Sequence, residues 1–485
     1  MRFARILFVV PFLRGIYGWP AQPHTGIGSL VSYLTRKGIR CSVIDMNLGH
    51  SFSEFRSRVD CFEPDLIGIS LYTYRFDRSN KFVRRVKRAC STPIVIGGPH
   101  VSLFRKQAVR WAGADYGVKQ EGELTLEELC AGRDMEEIAG LIYRTPSGVT
   151  VENTDRPFLS DLDSLPFPTY EGFELSQYGR AQINIVSSRG CPYRCTFCPI
   201  RLSMGQRYRC RSAAIVVEEL AYWYARGYRN FSFVDDNFTL HQRRIYELCD
   251  RIEKRNWDDI HLSCCQGIRA DCVDRALLER LTEVGLEYLA LGVESASDRV
   301  LQHLRKGESV TQIEAVVKDC CELGLEVGLF FLVGSPYETT EDVQESFAFC
   351  LKYPVMYANF YNVIPFPGTS LYRWVEQNGL FLVPPEEYMK RIMHFSRKPV
   401  FRNLGMDDGQ LRGCFRQGAR LERVVRRRFF ERKAGSRWLA KLLAWLVYGR
   451  VGYAIVRRMQ SWRTMVCLKN RIAARLQVQS RSHTT

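Results

Sequence analysis

The chain has 485 residues, 46% hydrophobic and 25% charged, which is long enough for two or three domains with large cores. No stretch reaches the roughly 18 uninterrupted apolar residues that a membrane-spanning helix needs. The opening MRFARILFVVPF has no small-residue cleavage site of the kind that ends a signal peptide. We therefore expect a cytoplasmic protein, at most bound to a membrane surface, whose 17 cysteines are reduced.

Residues 1–150 alternate short apolar runs with helical patterns, which predicts a parallel α/β sheet. The predicted strands cover residues 5–11, 41–47, 65–71, 93–99 and 115–120. We expect a doubly wound, Rossmann-like domain, in which ligands bind beyond the carboxyl ends of the strands. The candidate ligand-binding residues at those ends are Ser70, Gly97, Gly98 and Glu121.

The second part of the chain repeats the α/β pattern after a break. Residues 151–180 are rich in Pro and Asp and lack periodicity, so we interpret them as a linker. Residues 181–400 contain predicted strands at 183–188, 230–236, 261–266, 288–294, 326–334 and 358–365. Six β/α units predict a partial or full parallel barrel, whose catalytic groups lie at the carboxyl ends of its strands.

Three cysteines follow the first strand of this barrel. Cys191, Cys195 and Cys198 stand in CPYRCTFC, with Phe197 before the last of them, on one short loop. Thiolates in a reducing cell bind zinc or iron–sulfur clusters. A structural zinc site needs a fourth ligand nearby, and the next cysteine, Cys210, lies beyond a basic stretch. Three ligands leave one corner of a [4Fe–4S] cluster open, which is useful only if something else binds there.

With this motif, residues 183–400 resemble the radical S-adenosylmethionine (SAM) superfamily. The resemblance implies that the open iron binds SAM, and that an electron from a flavodoxin or ferredoxin cleaves SAM to a 5′-deoxyadenosyl radical. It also implies cofactor-binding roles for residues at successive strand ends, which are Asp235, Asp236, Arg269, Glu294 and Gly334, and for Phe197.

Each of these positions matches one part of SAM. The two aspartates would accept hydrogen bonds from the methionine amine, and Arg269 would pair with the methionine carboxylate. Glu294 resembles the acid that binds the ribose, and backbone groups at Gly334 would contact adenine. A cluster that is only structural or redox-sensing would not explain these strand ends.

Residues 1–150 resemble the cobalamin-binding domain that precedes the radical domain in the largest class of these enzymes. The matching segments are PHTGIGSLVSYLTRKG, GISLYTY, IGGPH and GVKQEGE. The Asp-x-His-x-x-Gly motif, whose histidine ligates cobalt in mutases, does not occur, and radical enzymes of this class usually lack it. The resemblance implies bound cobalamin; a domain without cobalamin is the alternative. We expect His24 and His100 to be hydrogen-bonding groups rather than metal ligands.

Residues 401–485 form a basic tail. They hold 20 Lys and Arg but 4 Asp and Glu, a net charge of +16 in a chain of +17. Residues 416–433 follow a basic helical pattern, and residues 436–462 mix Trp and Tyr with apolar residues and Arg. Such amphipathic helices bind membrane surfaces, so peripheral membrane contact is one hypothesis. A helical cap on the barrel is the second, and a nucleic-acid-binding appendage is the least favoured.

The resemblance leads us to expect cobalamin-dependent C-methylation of an unactivated carbon in a small molecule, such as a lipid, isoprenoid or other hydrophobic intermediate. A radical cyclase or rearranging enzyme of the same fold is the first alternative. A methylthiotransferase is the second, and it would need another cluster on three N-terminal cysteines. Cys41, Cys61 and Cys90 exist, but Cys61 lies within a helical pattern, so we do not expect them to converge.

Overall fold

The first parallel sheet is doubly wound, as predicted. The structure is a computed structural model that describes residues 2–11, 22–73, 76–178, 182–391 and 397–434. The strands of the first unit are β1 (Arg5–Val10), β2 (Arg40–Asp45), β3 (Leu66–Ser70), β4 (Ile94–Gly97), β5 (Tyr116–Val118), β6 (Leu141–Arg144) and β7 (Thr150–Glu152). Its helices are α1 (Thr25–Arg36), α2 (Phe52–Phe62), α3 (Phe76–Ala89), α4 (Pro99–Phe104), α5 (Lys106–Ala112) and α6 (Glu123–Ala131).

The strand order of this sheet is β2-β1-β3-β4-β5-β6-β7. The first five strands are parallel, which confirms all five predicted strands. Strands β6 and β7 add an antiparallel edge that the sequence did not predict, and β7 runs two residues past position 150. The order changes direction between β1 and β3, the place where such sheets bind ligands.

The linker is ordered and packs on both units. Tyr170 is 2% exposed and belongs to the core of the second unit, while its ring also lies against Gly28 of α1. The Tyr178 hydroxyl donates to Asp45 Oδ2 at 3.1 Å, and the Thr169 amide donates to Ser32 Oγ at 2.9 Å. These contacts fix the linker to the end of the first sheet.

The second unit contains a partial barrel. Its strands are β8 (Gln182–Ile185), β9 (Ser188–Arg189), β10 (Arg209–Cys210), β11 (Asn230–Phe233), β12 (His261–Ile268), β13 (Leu286–Glu294), β14 (Glu326–Val333) and β15 (Tyr357–Asn362). Its helices are α7 (Ile200–Ser203), α8 (Ala213–Tyr224), α9 (Gln242–Glu253), α10 (Arg275–Glu283), α11 (Asp298–His303), α12 (Val310–Glu322), α13 (Thr340–Lys352), α14 (Ser370–Gln377), α15 (Pro385–Arg391) and α16 (Asp408–Ala434).

Six parallel strands form the barrel in the order β15-β14-β13-β12-β11-β8, which confirms the six predicted strands. Alternation along each strand explains the packing, because successive side chains point to opposite faces. Val327, Leu329 and Phe331 of β14 are completely buried in the core that the helices cover. The other face lines the barrel interior, and β9 and β10 form a separate antiparallel ribbon beside it.

Helix α16 covers the edge of the barrel at β15. Leu411, Cys414 and Phe415 belong to the barrel core, and Glu422 Oε1 accepts a hydrogen bond from the Phe360 amide at 3.0 Å. Residues 408–434 of the tail therefore form a helical cap, as the second hypothesis for the tail proposed. The Trp- and Tyr-bearing residues 436–462 lie outside the described residues. Within the described ranges, no helix has the length and apolarity to cross a membrane.

Candidate active site

The three cysteines lie on one loop between β9 and α7. The Cys198 amide donates to the Cys195 carbonyl at 3.2 Å, and the Cys191 amide donates to the Gly205 carbonyl at 3.3 Å. Thr196, between the last two cysteines, donates from its amide to the Leu304 carbonyl at 2.9 Å. The loop is therefore held by backbone hydrogen bonds on both of its sides.

The thiols fit a shared metal cluster. Burial raises the pKa of Cys198 to about 12, and the nearby Cys195 and Cys191 raise it further. Burial also raises the pKa of the other two thiols. Thiols in this environment ionise readily only when a metal supplies opposite charge. In the described part of the chain, no group of three His, Cys, Asp or Glu side chains is already arranged around a metal ion.

Asp235 and Asp236 lie at the end of β11, beside the cysteine loop. Asp235 Oδ1 accepts hydrogen bonds from the Ser187 and Ser188 hydroxyls, whereas its Oδ2 is buried. Asp236 Oδ2 accepts from the Gly190 amide at 3.1 Å. Burial raises the pKa of Asp236 to about 6 and also raises the pKa of Asp235. A bound ammonium group would favour their charged forms.

Arg269, at the end of β12, is oriented by its neighbours. Its Nε and Nη2 both donate to Asp271 at 2.8 Å, so one edge of the guanidinium is already paired. The guanidinium carbon lies 3.5 Å from the ring centroid of Tyr193, which belongs to the cysteine loop. Arg269 Nη1 faces Glu308 Oε2 at 3.5 Å without a hydrogen bond. That nitrogen remains able to bind a carboxylate.

Glu294, at the end of β13, adopts a left-handed backbone conformation with φ of 64°. Such strain in a non-glycine residue costs about 1–3 kcal/mol and is typical of functional sites. Lys306 Nζ holds the side chain by donating to Glu294 Oε1 at 3.3 Å and also lies 3.2 Å from Glu308 Oε2. Burial alone would lower the pKa of Lys306, but the two glutamates outweigh it and keep the amine charged.

Gly334, at the end of β14, has φ of 90° in a turn closed by a buried acid. Glu338 Oε2 accepts hydrogen bonds from the Gly334 amide at 2.6 Å and the Ser335 amide at 3.1 Å. The amide hydrogens of this turn are therefore already bound. Backbone contact with adenine at this turn would have to use a carbonyl group.

Unpaired polar atoms around these strand ends fit a polar ligand. Among the described residues, six buried atoms there have no hydrogen-bond partner. They are Asp235 Oδ2, Asn237 Oδ1, Thr239 Oγ1, Arg269 Nη1, Glu308 Oε2 and Ser335 Oγ. Each unpaired buried polar atom costs about 1–3 kcal/mol, so a ligand that supplied partners would be bound favourably. SAM, with its amine, carboxylate and ribose hydroxyls, carries groups of the required kinds.

Phe197 is the remaining predicted residue of the barrel site. Its half-buried ring packs against an apolar cluster that joins the first unit to the segment after β15, including Val363 and Leu371. Its observed role is packing between the two units.

The predicted residues of the first unit fall into two groups. Ser70, Gly97 and Gly98 lie together at the ends of β3 and β4, where a Cβ atom on Gly98 would be 2.8 Å from the Leu71 carbonyl and 3.0 Å from Ser70 Oγ. Glu121 has a different role, because its side chain binds other parts of the protein. Its Oε1 accepts from Arg189 and Arg209, and its Oε2 accepts from the Leu159 amide.

Both loop histidines form hydrogen bonds, as predicted: His24 with the Ile27 amide and His100 with the Thr73 hydroxyl. His24 Nδ1 caps α1 by accepting from the Ile27 amide at 3.1 Å, and burial lowers the pKa of His24 to about 4. His100 stacks on Phe76 at 3.8 Å, and burial lowers its pKa to about 3. Within the described residues, His24 Nε2 is buried without a partner beside Tyr72, so it could donate to the amide groups of a bound corrin ring.

Several residues of the site were not predicted. Lys306 and Glu308 act through contacts with other loops, whereas Glu338 binds two amides of its own turn. Tyr193 was treated only as a spacer between cysteines. The run RKGES placed Lys306 and Glu308 between helices α11 and α12, but a charged loop is usually solvated, so sequence alone gave no reason to select it.

Comparisons with known proteins agree with this division into two cofactor units. The family model of the radical SAM superfamily matches residues 185–350, and the model of the B12 binding domain matches residues 22–130. An uncharacterized methyltransferase of Pyrococcus horikoshii is 30% identical over 397 residues, which cover 79% of this chain and 85% of that protein. The anaerobic magnesium-protoporphyrin IX monomethyl ester cyclase of Rubrivivax gelatinosus is 26% identical over 440 residues, or 85% of this chain and 74% of that protein.

A solved structure shares the whole architecture. The radical SAM methyltransferase TsrM from Kitasatospora setae, with cobalamin and a [4Fe–4S] cluster bound, superposes with a TM-score of 0.70 at 20% identity. The match covers 86% of this chain and 89% of that one, and it shows a common fold. The chain therefore belongs to the cobalamin-dependent radical SAM methyltransferase family, whose cofactors are a [4Fe–4S] cluster, SAM and cobalamin.

Proposed function

We propose that this enzyme transfers a methyl group from SAM, by way of cobalamin, to an unactivated carbon of a small hydrophobic molecule. When bound, the cofactors supply a methyl group and a carbon-centred radical, which is chemistry that no protein side chain provides. The observation that carries the proposal is the fixed attachment, in one chain, of a B12-binding unit to a barrel whose strand ends hold a three-cysteine loop. A 30% identical relative that is called an uncharacterized methyltransferase supports methyl transfer.

The side chains of the barrel would bind and orient SAM. Asp236 and Asp235 would accept hydrogen bonds from its amine, and Arg269 would bind its carboxylate through the unpaired Nη1. Glu294, held by Lys306, would accept hydrogen bonds from ribose hydroxyls. These groups are fixed by neighbouring residues before any ligand arrives, which lowers the entropy lost on binding.

The barrel interior supports a hydrophobic or aromatic substrate. Phe330 lies with its ring centroid 6.0 Å from that of Tyr357 and 5.8 Å from that of Tyr361, and the Tyr288 and Tyr357 hydroxyls are hydrogen-bonded. These rings are half-buried on the interior face, whereas the opposite face of the same strands is completely buried. Aromatic walls with a few polar groups are typical of small-molecule sites.

The products of SAM distinguish methyl transfer from cyclisation. Reconstituted holoenzyme would be supplied with titanium citrate, in place of a flavodoxin or ferredoxin, and methyl-deuterated SAM. It would be incubated with hydrophobic and polar fractions of the source organism's metabolites. Methyl transfer predicts equal amounts of S-adenosylhomocysteine and 5′-deoxyadenosine, with the label in a product of the hydrophobic fraction. A cyclase, such as the Rubrivivax relative, would give 5′-deoxyadenosine without S-adenosylhomocysteine. Label in the polar fraction alone would contradict the substrate class.

We also propose that the outer face of α16 contacts an anionic membrane surface. Five exposed arginines follow one another along this face of the helix: Arg412, Arg416, Arg420, Arg423 and Arg427. The apolar face of α16 is used against the barrel, so contact would be electrostatic rather than insertive. Residues 435–485 add 10 Lys and Arg and no Asp or Glu. Each such cation near an anionic leaflet contributes about 1 kcal/mol.

Flotation with phosphatidylglycerol vesicles tests this contact. The triple variant R416Q/R420Q/R423Q should float several-fold less than the wild type at low salt. The control K81Q/R84Q/R88Q removes three exposed charges from α3 and should float normally. Equal loss in both variants, or no flotation of the wild type, would contradict a membrane-facing role for α16.

A further inference from the structure

A buried ion network joins the two units directly behind the cysteine loop. Glu121 Oε1 accepts hydrogen bonds from Arg189 Nη1 at 3.0 Å and from Arg209 Nη1 at 2.7 Å. Glu123 Oε1 accepts from Arg189 Nη2 at 2.8 Å. The exposed fraction of the four side chains ranges from 3% to 15%. Two positive and two negative groups are thus buried together, and the network is neutral as a whole.

The pairing with Arg189 favours the charged form of Glu123. Burial alone would raise the pKa of Glu123, but the charge and hydrogen bond of Arg189 outweigh burial and hold that pKa below its usual range. Breaking such a pair from one side is strongly destabilising, because the remaining charge stays buried and unpaired. The network therefore specifies one arrangement of the surfaces that it joins.

On the barrel side, the network connects to the cluster ligands through one residue. Arg189 and Arg209 are partners in the β9–β10 ribbon, and Gly190 alone separates Arg189 from Cys191. Gly190 has φ of 85°, and a Cβ atom there would lie 2.4 Å from the Arg207 carbonyl oxygen. Because this backbone is tightly enclosed, a displacement of Arg189 would move Cys191 as well.

On the other side, the network holds the carboxyl end of the first sheet. Glu121 and Glu123 follow β5, and Glu121 Oε2 accepts from the Leu159 amide of the linker at 2.9 Å. Arg209 Nη1 donates to the Leu159 carbonyl at 2.7 Å, and its guanidinium lies 5.0 Å from the Phe158 ring centroid. Sheet end, linker and cysteine loop therefore meet at the same four charges.

We propose that Arg189 is a positioning residue that sets the cluster loop against the B12-binding unit, so that SAM on the cluster is presented toward the corrinoid. The Arg189 guanidinium donates to Glu121 and Glu123, so Arg189 would act on the cluster through Gly190 and Cys191. The inference goes beyond the proposed function because it concerns where the cluster is held. It stands whether the product is methylated or cyclised.

Substitution of Arg189 with a spectroscopic readout tests the proposal. Reconstituted Arg189→Met should retain its iron but need roughly tenfold more SAM to convert the electron paramagnetic resonance spectrum of the reduced cluster. Arg189→Lys, which keeps the charge, should recover most of the difference. The control Arg211→Met breaks the buried Arg211–Glu219 pair within the barrel and should lower Tm while leaving the SAM titration unchanged.

Two outcomes would overturn the positioning role. One is a wild-type SAM titration in Arg189→Met, with a loss of Tm equal to that of Arg211→Met, because the network would then be only structural. The other is an equal change of the spectrum in both variants. If Arg189→Met does not fold, Glu123→Gln removes one charge of the network with little change in shape, and it should shift the SAM titration in the same direction.

Discussion

The carboxyl ends of the two sheets are built in opposite ways. At the barrel, buried polar atoms of Asp235, Arg269 and Glu308 have no hydrogen-bond partner within the described ranges, although charged neighbours fix their side chains. At the first sheet, Glu121 and Glu123 bind arginines of the barrel, Glu121 also binds the linker, and Ser70, Gly97 and Gly98 offer mainly backbone. The charged side chains that could bind a ligand are therefore concentrated at the barrel. The first unit instead offers its cofactor a surface made mainly of backbone.

The largest expected effect concerns the cluster ligands. Cys198→Ala should lower reductive cleavage of SAM by more than about 100-fold, because the loss of a ligand exceeds the 10- to 100-fold effect of outer-shell changes. Anaerobic assay of 5′-deoxyadenosine, with iron content, measures it. Cys61→Ala, an exposed thiol of α2, is the control. Wild-type cleavage in Cys198→Ala would show that the loop does not hold the catalytic cluster.

The second-largest expected effect concerns Arg269, which we propose binds the carboxylate of SAM. Arg269→Met should raise the SAM concentration for half-maximal cleavage by roughly 10- to 100-fold, because a hydrogen bond between charged groups contributes about 1.5–3 kcal/mol. Arg269→Lys should recover only part of this, since it lacks the planar fork held by Asp271. Arg275→Met, in a surface ion-pair group of α10, should have no effect on SAM. A change in maximal rate without a change in SAM requirement would contradict carboxylate binding.

A glycine of the first unit tests the other half of the comparison. Gly98→Ala should weaken corrinoid binding by roughly tenfold, because strain at φ of 93° costs about 1–3 kcal/mol and the new Cβ would meet the Leu71 carbonyl. Cleavage of SAM should be retained. Gly113→Ala also places a Cβ atom at positive φ, but its φ of 68° and ψ of 24° lie in the less costly left-handed helical region, with no atom within 4 Å, so it should bind corrinoid normally. Equal weakening in both variants would mean that backbone strain alone is responsible.

The smallest expected effect is a pH dependence of stability. Burial raises the pKa of Glu338 to about 8, above the usual value of 4.5, so the folded state binds a proton that the unfolded state releases between these values. This contribution is complete below pH 4.5 and is lost as the pH rises through 8. Between pH 6 and 9, Tm should therefore fall more in the wild type than in Glu338→Gln. Glu345→Gln, an exposed residue of α13, should behave as the wild type, and identical slopes in all three would contradict the assignment.

Sequence predicted those parts of the molecule in which local pattern determines structure. All eleven predicted strands form, because buried parallel strands are nearly continuous apolar runs. Strands β6 and β7 were missed because they are short and lie at an antiparallel edge. The packing of α16 on the barrel was one of three hypotheses for the tail. A basic amphipathic pattern predicts a helix with an apolar face, but it does not predict what that face will contact.

The site residues that were predicted belong to the cysteine motif or directly follow a predicted strand. Cys191, Arg269 and Glu294 lie after strands at positions to which the resemblance to the radical SAM superfamily assigns roles, and those roles stay predictions. Lys306 and Glu308 were not selected, because their contacts with Glu294 and Ala270 arise only in the folded chain. Glu121 was expected to bind the corrinoid, but its side chain binds Arg189 and Arg209 of the barrel. The segment GVKQEGE resembles part of a cobalamin-binding domain, and a resemblance of one unit does not predict that unit's contacts with the other.

Anaerobic reconstitution tests the central claim that one chain holds both cofactors. The protein would be loaded with iron and sulfide, then with hydroxocobalamin, desalted, and analysed for iron, sulfide and corrinoid by optical spectroscopy. We predict a full [4Fe–4S] cluster with about one tightly bound corrinoid per chain. A complete cluster without retained corrinoid would contradict methyl transfer through cobalamin and would favour cyclisation or rearrangement.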